Sequence, residues 1–436
     1  MRNSALVGRL LQGTIWGLAG SGIARALGLI AAVLVARLVG KVGFGQIGVI
    51  QTTMSMFGVL AGSGAGLTAT RLIAALRITD AQRASRIVTL TMVMSATTSA
   101  AAAVGLFASA PWLSRHALAA PELETPLRLS SLLLFFEAMN ATQAGILNGF
   151  EAFQISARIA IASSLAGLPI AVGGAYSLGV TGYIGALTAA RGVNALLNHL
   201  AVRQHAAGLN MRLSLAGMRR ELRVLTEFSL PSMASGVAII SAAWVCNAIL
   251  VNSPGGYAEM GVFTAAGNWR SIIFFLPYTV SGIYLPVAAN LWAERNTGDF
   301  KRVIYANLAI NTLASATIAV PVAVLAGPIM RTYGEGFEYG APTLVLLAAS
   351  CIVVAVDYAT ANILISQGRM WLLLAYNLLM AAVLIGSAWW FVSHGAGAAG
   401  MAASVLLAYA LKVLVQGRHF KTLRHVPPAI HTAHPD

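Results

Sequence analysis

The sequence predicts an all-α polytopic membrane protein: twelve transmembrane helices in two six-helix lobes, related by a parallel pseudo-repeat around a central cleft. Three observations carry that expectation. Of 436 residues, 58% are hydrophobic and only 10% are charged. The apolar residues gather into twelve runs, each long enough to cross a bilayer. Two pairs of segments resemble each other at an offset near half the chain length.

The composition excludes a water-soluble enzyme, because an ordinary soluble domain carries roughly 25% charged residues to cover its surface. A crossing helix needs about 20 predominantly apolar residues for a hydrocarbon core of roughly 30 Å. Such runs fall at about 13–39, 45–73, 84–108, 125–149, 154–177, 181–203, 228–251, 260–290, 303–326, 340–366, 371–393 and 396–415. The first is too long for a signal-peptide core and leads directly into the second, so it counts as a span.

The charge is lopsided, with 28 Lys and Arg against 14 Asp and Glu and a net charge of +14. With the N-terminus in the cytoplasm, eighteen basic residues, among them Arg77, Arg83, Arg86, Arg203, Arg302 and Arg369, fall in inside segments. Only Lys41, Arg115 and Arg331 fall outside. That imbalance predicts both termini in the cytoplasm and an inner face that meets anionic phospholipid. Nucleic-acid binding would require a solvated basic face with interleaved aromatics, and none is present. Cys246 and Cys351 lie in apolar runs and suggest neither a disulfide nor a metal site.

The repeat rests on "GFGQIGVIQTT" around Gly48 against "GYAEMGVFTAA" around Gly261, offset 213, and "ILNGFEAF" around Gly149 against "LISQGRMW" around Gly368, offset 219. The matches fall in the second and eighth, then the fourth and tenth spans. A duplicated six-helix unit enters the membrane twice in the same sense, giving a parallel repeat. The expected organisation is an N-terminal lobe over 1–203, a basic amphipathic linker over 204–226 on the inner face, a C-terminal lobe over 227–415 and a polar cytoplasmic tail over 416–436. Two such lobes suit a secondary transporter that binds its substrate near the midplane. Neither a Walker A sequence nor HExxH occurs, so transport is expected to draw on an ion gradient, the membrane potential or the substrate's own gradient.

A charge near a helix centre is expensive in a bilayer and marks a wet path or a partner. Arg25, Arg191 and Arg270 qualify, as do the acids Glu137 and Asp357. Glu137, Asn140 and Asn148 share a helical face with Gln143 beside them, and Arg191, Asn194 and Asn198 share another. Each arginine also admits a simpler explanation, an ion pair that fixes helix packing. A surplus of guanidinium suits a polyanion, because the planar fork bonds phosphate oxygens in pairs. His199 and His205 read as interfacial and not as metal ligands. Trp269, beside Arg270, is placed to stack on a sugar, and "GSGAG" at 62–66 is a hinge or a close-packing patch.

"ARLVGKVGFGQIGVIQTTMSMFGVLAGSGAGLTATR" from Ala36, "GVFTAAGNWRSIIFFLPYTVSGIYLPVAANL" from Gly261 and "ILNGFEAFQISA" from Ile146 resemble the polysaccharide-transport branch of the multidrug/oligosaccharidyl-lipid/polysaccharide (MOP) flippase superfamily. The resemblance implies a bacterial inner-membrane flippase, not an enzyme. It would move an undecaprenyl-pyrophosphate-linked oligosaccharide, such as an O-antigen or exopolysaccharide repeat unit, from the cytoplasmic to the periplasmic leaflet. On that basis Arg25, Arg191 and Arg270 would hold pyrophosphate, while Asn140, Gln143, Asn194, Asn247, Asn268 and Trp269 would meet sugar. Glu137 and Asp357, within one residue of each other at the offset of 219, would couple transport to H+ or Na+. No cofactor is expected, and the partners are the lipid-linked oligosaccharide and glycan assembly proteins. A multidrug/cation antiporter would instead show a net acidic cavity, and a membrane glycosyltransferase or polymerase a catalytic acid or base near an external opening.

Overall fold

The computed structural model describes residues 2–60, 65–77, 79–208, 222–275, 277, 284, 287–292, 294 and 296–422, without side chains at 2–19, 21, 60, 65, 67, 222–235, 297 and 419–422. Residues 209–221 of the linker, 423–436 of the tail and 62–64 of the GSGAG patch lie outside the described residues.

Among the described residues the regular structure is all helical. In chain order the principal helices are α1 (Arg2–Leu60), α2 (Ala65–Leu76), α3 (Ala81–Trp112), α4 (Glu124–Gly149), α5 (Phe153–Gly208), α6 (Leu222–Val251), α7 (Gly256–Ile273), α8 (Thr297–Val324), α9 (Ala326–Arg331), α10 (Ala341–Ser366), α11 (Met370–Ser393) and α12 (Gly397–Thr422). Each apolar run read from the sequence overlaps one of these helices. Local chemistry fixes several ends: Asp80 accepts from the Arg83 N–H at 2.8 Å to cap α3, and Asn296 accepts from the Asp299 N–H at 3.2 Å to cap α8.

Seven helices among the described residues are long and apolar enough to cross a membrane. Two of them, Gly22–Val59 and Phe153–Gly208, contain 38 and 56 residues, about 57 and 84 Å if straight and far beyond one hydrocarbon core. Both are broken where the sequence separates two runs. Gly40 breaks α1 with φ 70 and ψ 177. In α5 the break is at Leu178 and Gly179, the latter at φ 57 and ψ −134, backbone that a side chain would strain. Gly174 and Gly182, on either side of that break, approach so closely that a Cβ on either would overlap the other's carbonyl oxygen. The chain therefore reverses at 178–179 into a tight helical hairpin.

The exterior is apolar. Val104, Val193, Leu313 and Val324 are 58–76% exposed, which fits a lipid-facing surface and not a wet one. Exposed Trp112, Tyr176, Trp389 and Trp390 gather near one set of turns and Trp371 near the other, the positions of interfacial aromatic belts. Beneath this surface the main core runs through α1, α3, α4, α6, α7, α10, α11 and α12 around Ile47, Ile50, Leu127, Cys246, Val262, Leu347 and Met401.

The two segments matched at offset 213 pack against each other. The second half of α1 crosses α7 backbone to backbone: a Cβ on Gly45 would overlap the Tyr257 carbonyl, and one on Gly261 the Lys41 carbonyl. Such a crossing holds only while those positions lack side chains.

Candidate functional site

The turns at Gly40, 113–123, 178–179, 252–255, 332–340 and 394–396 meet at one end of the molecule, and contacts between the two halves of the chain seal it. Arg37 Nε donates to the Thr332 carbonyl at 2.7 Å. Phe44 packs its ring on Tyr333 and Phe337, with centroids 6.0 and 6.2 Å apart. Offset by 213 residues from Phe44, Tyr257 donates its hydroxyl to the Leu118 carbonyl at 2.8 Å, and Asn252 Nδ2 reaches the Ala117 carbonyl at 2.8 Å. Gln46 and Glu259, related by the same offset, also play matching parts. Gln46 Nε2 donates to Glu122 Oε1 at 3.1 Å, while Glu259 accepts from the Tyr339 hydroxyl at 3.2 Å and the Ala398 N–H at 2.7 Å. The Arg37, Phe44, Tyr257 and Asn252 contacts thus join the first half of the chain to the second, whereas Gln46 and Glu259 each tie down turns within their own half.

Away from the seal lies a cavity of about 710 Å³, walled by the second half of α1, α2, α4 and the second half of α5. Its polar lining is Gln51, Ser55, Thr70, Glu137, Thr142 and Asn148, among apolar residues such as Met54, Leu133 and Ile184. It lies within the first half of the chain and not between the halves.

Counting 1.5 Å per residue from the sealed end, Arg25, Glu137, Arg191, Arg270, Asp357 and Lys412 all lie about 18–24 Å deep. Their surroundings differ. Glu137 lines the cavity, and its Oε1 is 3.6 Å from Arg191 Nε, with the two side chains 49% and 47% exposed. The backbone that carries Arg191 is tied down: Asn140 Nδ2 donates to the Arg191 carbonyl at 3.0 Å, and Asn198 Nδ2 donates to Asn140 Oδ1 at 3.0 Å and to Asn194 Oδ1 at 2.9 Å. Asn140 and Asn194, expected to meet sugar, are thereby engaged in joining α4 to α5. Gln143 is buried beside them and does not line the cavity.

Arg25 is exposed on α1 and reaches the other half of the chain. Nη1 donates to the Ser271 carbonyl at 3.1 Å, and the guanidinium lies 4.9 Å from the centroid of the Phe275 ring. Arg270, one residue away on α7, turns inward, over Phe274 at 5.6 Å and beside Cys351 and Tyr409. Neither arginine lines the 710 Å³ cavity. Asn247 is buried on α6, and Asn268 and Trp269 lie beside the buried Tyr333.

Asp357 is paired with a residue that the sequence reading passed over. Lys412 Nζ lies 2.9 Å from both Asp357 carboxylate oxygens and donates to Asn377 Oδ1 at 2.7 Å, with its side chain only 2% exposed. A lone lysine inside the run 396–415 is a signal of the same kind as the three arginines. His205 stacks on Phe150 with Nδ1 2.9 Å from the Ala201 carbonyl, as befits an interfacial residue.

Comparison with known proteins agrees with this architecture. The family model described as polysaccharide biosynthesis protein matches residues 10–292. The EPS I polysaccharide export inner membrane protein EpsE of Ralstonia nicotianae (strain ATCC BAA-1114 / GMI1000) is 23% identical over 332 residues, 73% of this chain and 72% of that protein. A multidrug resistance MATE family transporter of the MOP superfamily, solved in an inward-facing conformation, superposes with a TM-score of 0.74 at 17% identity over 94% of this chain and 99% of the other. A MATE family transporter of the same superfamily in an outward-facing conformation gives 0.68 at 16% identity over 96% of each chain. The chain has the MOP-superfamily transporter fold and belongs to the polysaccharide biosynthesis protein family.

Proposed function

We propose that the protein is an inner-membrane flippase that carries an undecaprenyl-pyrophosphate-linked oligosaccharide from the cytoplasmic to the periplasmic leaflet by alternating access. Its twelve crossings form two six-helix lobes with both termini in the cytoplasm. The observation that carries this is the combination of a sealed end, bridged between the halves by Arg37, Phe44, Asn252 and Tyr257, with a polar cavity beyond it. A transporter caught between turnovers needs both.

The sealed end holds Lys41, Arg115 and Arg331, whereas the opposite end holds Arg77, Arg83, Arg86, Arg158, Arg203, Lys301, Arg302 and Arg369. The positive-inside rule puts the seal in the periplasm and the cavity on the cytoplasmic side. The basic end would face anionic phospholipid and the glycan assembly proteins that deliver the substrate.

Charge argues for an anionic substrate. At mid-depth four cations, Arg25, Arg191, Arg270 and Lys412, stand against two acids, Glu137 and Asp357, a surplus of two. Lys412 holds Asp357 and Arg191 holds Glu137, while Arg25 and Arg270 have no acid partner among the described residues. A cation antiporter would show the opposite balance. Arg25, exposed where the two halves meet, is placed to take the pyrophosphate, and the cavity's hydroxyl and amide groups to take sugar.

Deleting the gene should abolish the surface polysaccharide and trap its lipid-linked repeat unit in the cytoplasmic leaflet. Complementation by the wild-type chain should restore it. Normal polysaccharide in the deletion strain, with lost resistance to cationic dyes, would favour the antiporter.

A further inference from the structure

Building on the flippase proposal, we infer that Arg191 is a phosphate-binding position whose resting counter-ion is Glu137, and that the substrate's pyrophosphate binds by displacing that carboxylate. The Arg191 backbone is fixed to α4 through Asn140. Its side chain follows Ile184 and Leu187, both in the cavity wall, at i+7 and i+4, so it shares their face. The guanidinium is about half exposed, and the 3.6 Å from Nε to Glu137 Oε1 is an ion-pair distance beyond hydrogen-bond reach. The carboxylate therefore neutralises the arginine without using its fork of donors.

A contrast within the same molecule marks this pair as exchangeable. Lys412 and Asp357 are in direct contact at 2.9 Å, almost wholly buried, and reinforced by Asn377. Nothing dissolved reaches them. Glu137 and Arg191 sit at comparable depth, Glu137 in the cavity wall and Arg191 about half exposed beside it, held by charge alone. Around Glu137, α1, α2 and α3 contribute Gln51, Ser55, Thr70 and Ser95, none of them charged, and α5 adds Tyr183 beside Arg191. The acid thus faces a single cation among the described residues, and any anion that takes the cation releases it.

A diphosphate offers paired oxygens to the guanidinium and carries more charge than a carboxylate, so it outcompetes Glu137 where a monoanion does not. Glu137 would then act as a threshold, keeping singly charged anions off Arg191. No bond is made or broken: a phosphate oxygen replaces the carboxylate at Arg191, and Glu137 turns into the cavity, where it can meet a coupling cation.

The test is a double-mutant cycle on the full chain in nanodiscs, measuring the dissociation constants of inorganic pyrophosphate and, separately, of undecaprenyl pyrophosphate. Glu137→Gln removes the competitor and should tighten both ligands about two- to fivefold, the range expected of a half-exposed ion pair. Arg191→Gln should weaken both at least tenfold, and Arg191→Lys less than that. In the Arg191→Gln background, Glu137→Gln should have no further tightening effect. Unchanged or weaker binding in Glu137→Gln, equal tightening with Arg191 removed, or failure of the wild type to bind either probe would overturn the displacement. Displacement without flipping of a lipid-linked oligosaccharide would leave this site standing and defeat the flippase proposal. Flipping with no Glu137 effect on binding would do the reverse.

Discussion

Replacing Lys412 with methionine should destabilise the protein far more than replacing Glu137, although both positions form ion pairs at similar depth. Lys412 Nζ contacts both oxygens of Asp357 at 2.9 Å, and the two side chains are only 2% and 9% exposed. Removing the lysine leaves a carboxylate without its cation in the core between α10, α11 and α12, a loss of about 3–5 kcal/mol for a broken buried pair. Asp357→Asn leaves the ammonium stranded and should cost a similar amount. The double variant Asp357→Asn, Lys412→Met buries no charge and should recover most of the loss, because the desolvation that the pair overcame disappears with it. Glu137→Gln disturbs a pair about half exposed, with an expected effect of about 0.2–1 kcal/mol. Cys246 and Cys351 are both buried, so the rate at which a thiol-reactive dye labels them on heating reports unfolding directly. Single variants at 357 and 412 that melt within a degree of wild type, or a double variant as unstable as the sum of the singles, would refute the assignment of this pair as a buried packing element.

Further outcomes follow from the other contacts. Arg25→Ala and Arg270→Ala should each abolish surface polysaccharide while membrane levels hold, with Lys restoring it only in part because a point charge loses the paired geometry; quantitative glycan staining against membrane immunoblots decides this. Tyr257→Phe deletes the 2.8 Å bond to the Leu118 carbonyl and should weaken the seal by about 1 kcal/mol, seen as faster thiol labelling of a cysteine placed at Phe337. Gly45→Leu and Gly261→Leu put side chains where α1 and α7 backbones touch and should prevent the seal from closing, so flipping stops and the Phe337 position labels constitutively. The pairing with Lys412 leaves Asp357 unable to meet a coupling cation. If Glu137 couples transport, Glu137→Gln should abolish the response of flipping to an imposed pH or sodium gradient, and flipping in that variant that still follows the gradient would place the coupling elsewhere.

The helical framework was legible because the bilayer imposes one rule on every crossing, a long apolar run, and that rule is local in sequence. The same holds for the breaks at Gly40 and Gly179, where a glycine separates two runs. The meeting of the two matched segments was half legible: the repeat was visible, but the packing of Gly45 on Tyr257 and Gly261 depends on how α1 and α7 cross. Site chemistry was less accessible, since a mid-helix charge reveals that it needs company without naming the partner. Arg191 and Glu137 met each other, whereas Arg270 turned toward Cys351 and Tyr409 in the second half. Asn140, Asn194 and Asn198 look like a sugar-binding stripe on the helix, yet they satisfy one another because α4 and α5 lie side by side. The seal drew on Tyr333, Phe337 and Tyr339 in a turn, where periodicity gives no information about contacts.

The most direct test is transport itself: purified protein in liposomes, an undecaprenyl-pyrophosphate-linked oligosaccharide in both leaflets, and a membrane-impermeant lectin or glycosidase to count the glycan on the outer leaflet over time. Exchange between leaflets that needs the protein, stops in Arg25→Ala and discriminates against the same glycan on an uncharged lipid is the expected result. Equal rates in protein-free liposomes, or equal transport of the uncharged lipid, would contradict a flippase built around an arginine-held pyrophosphate.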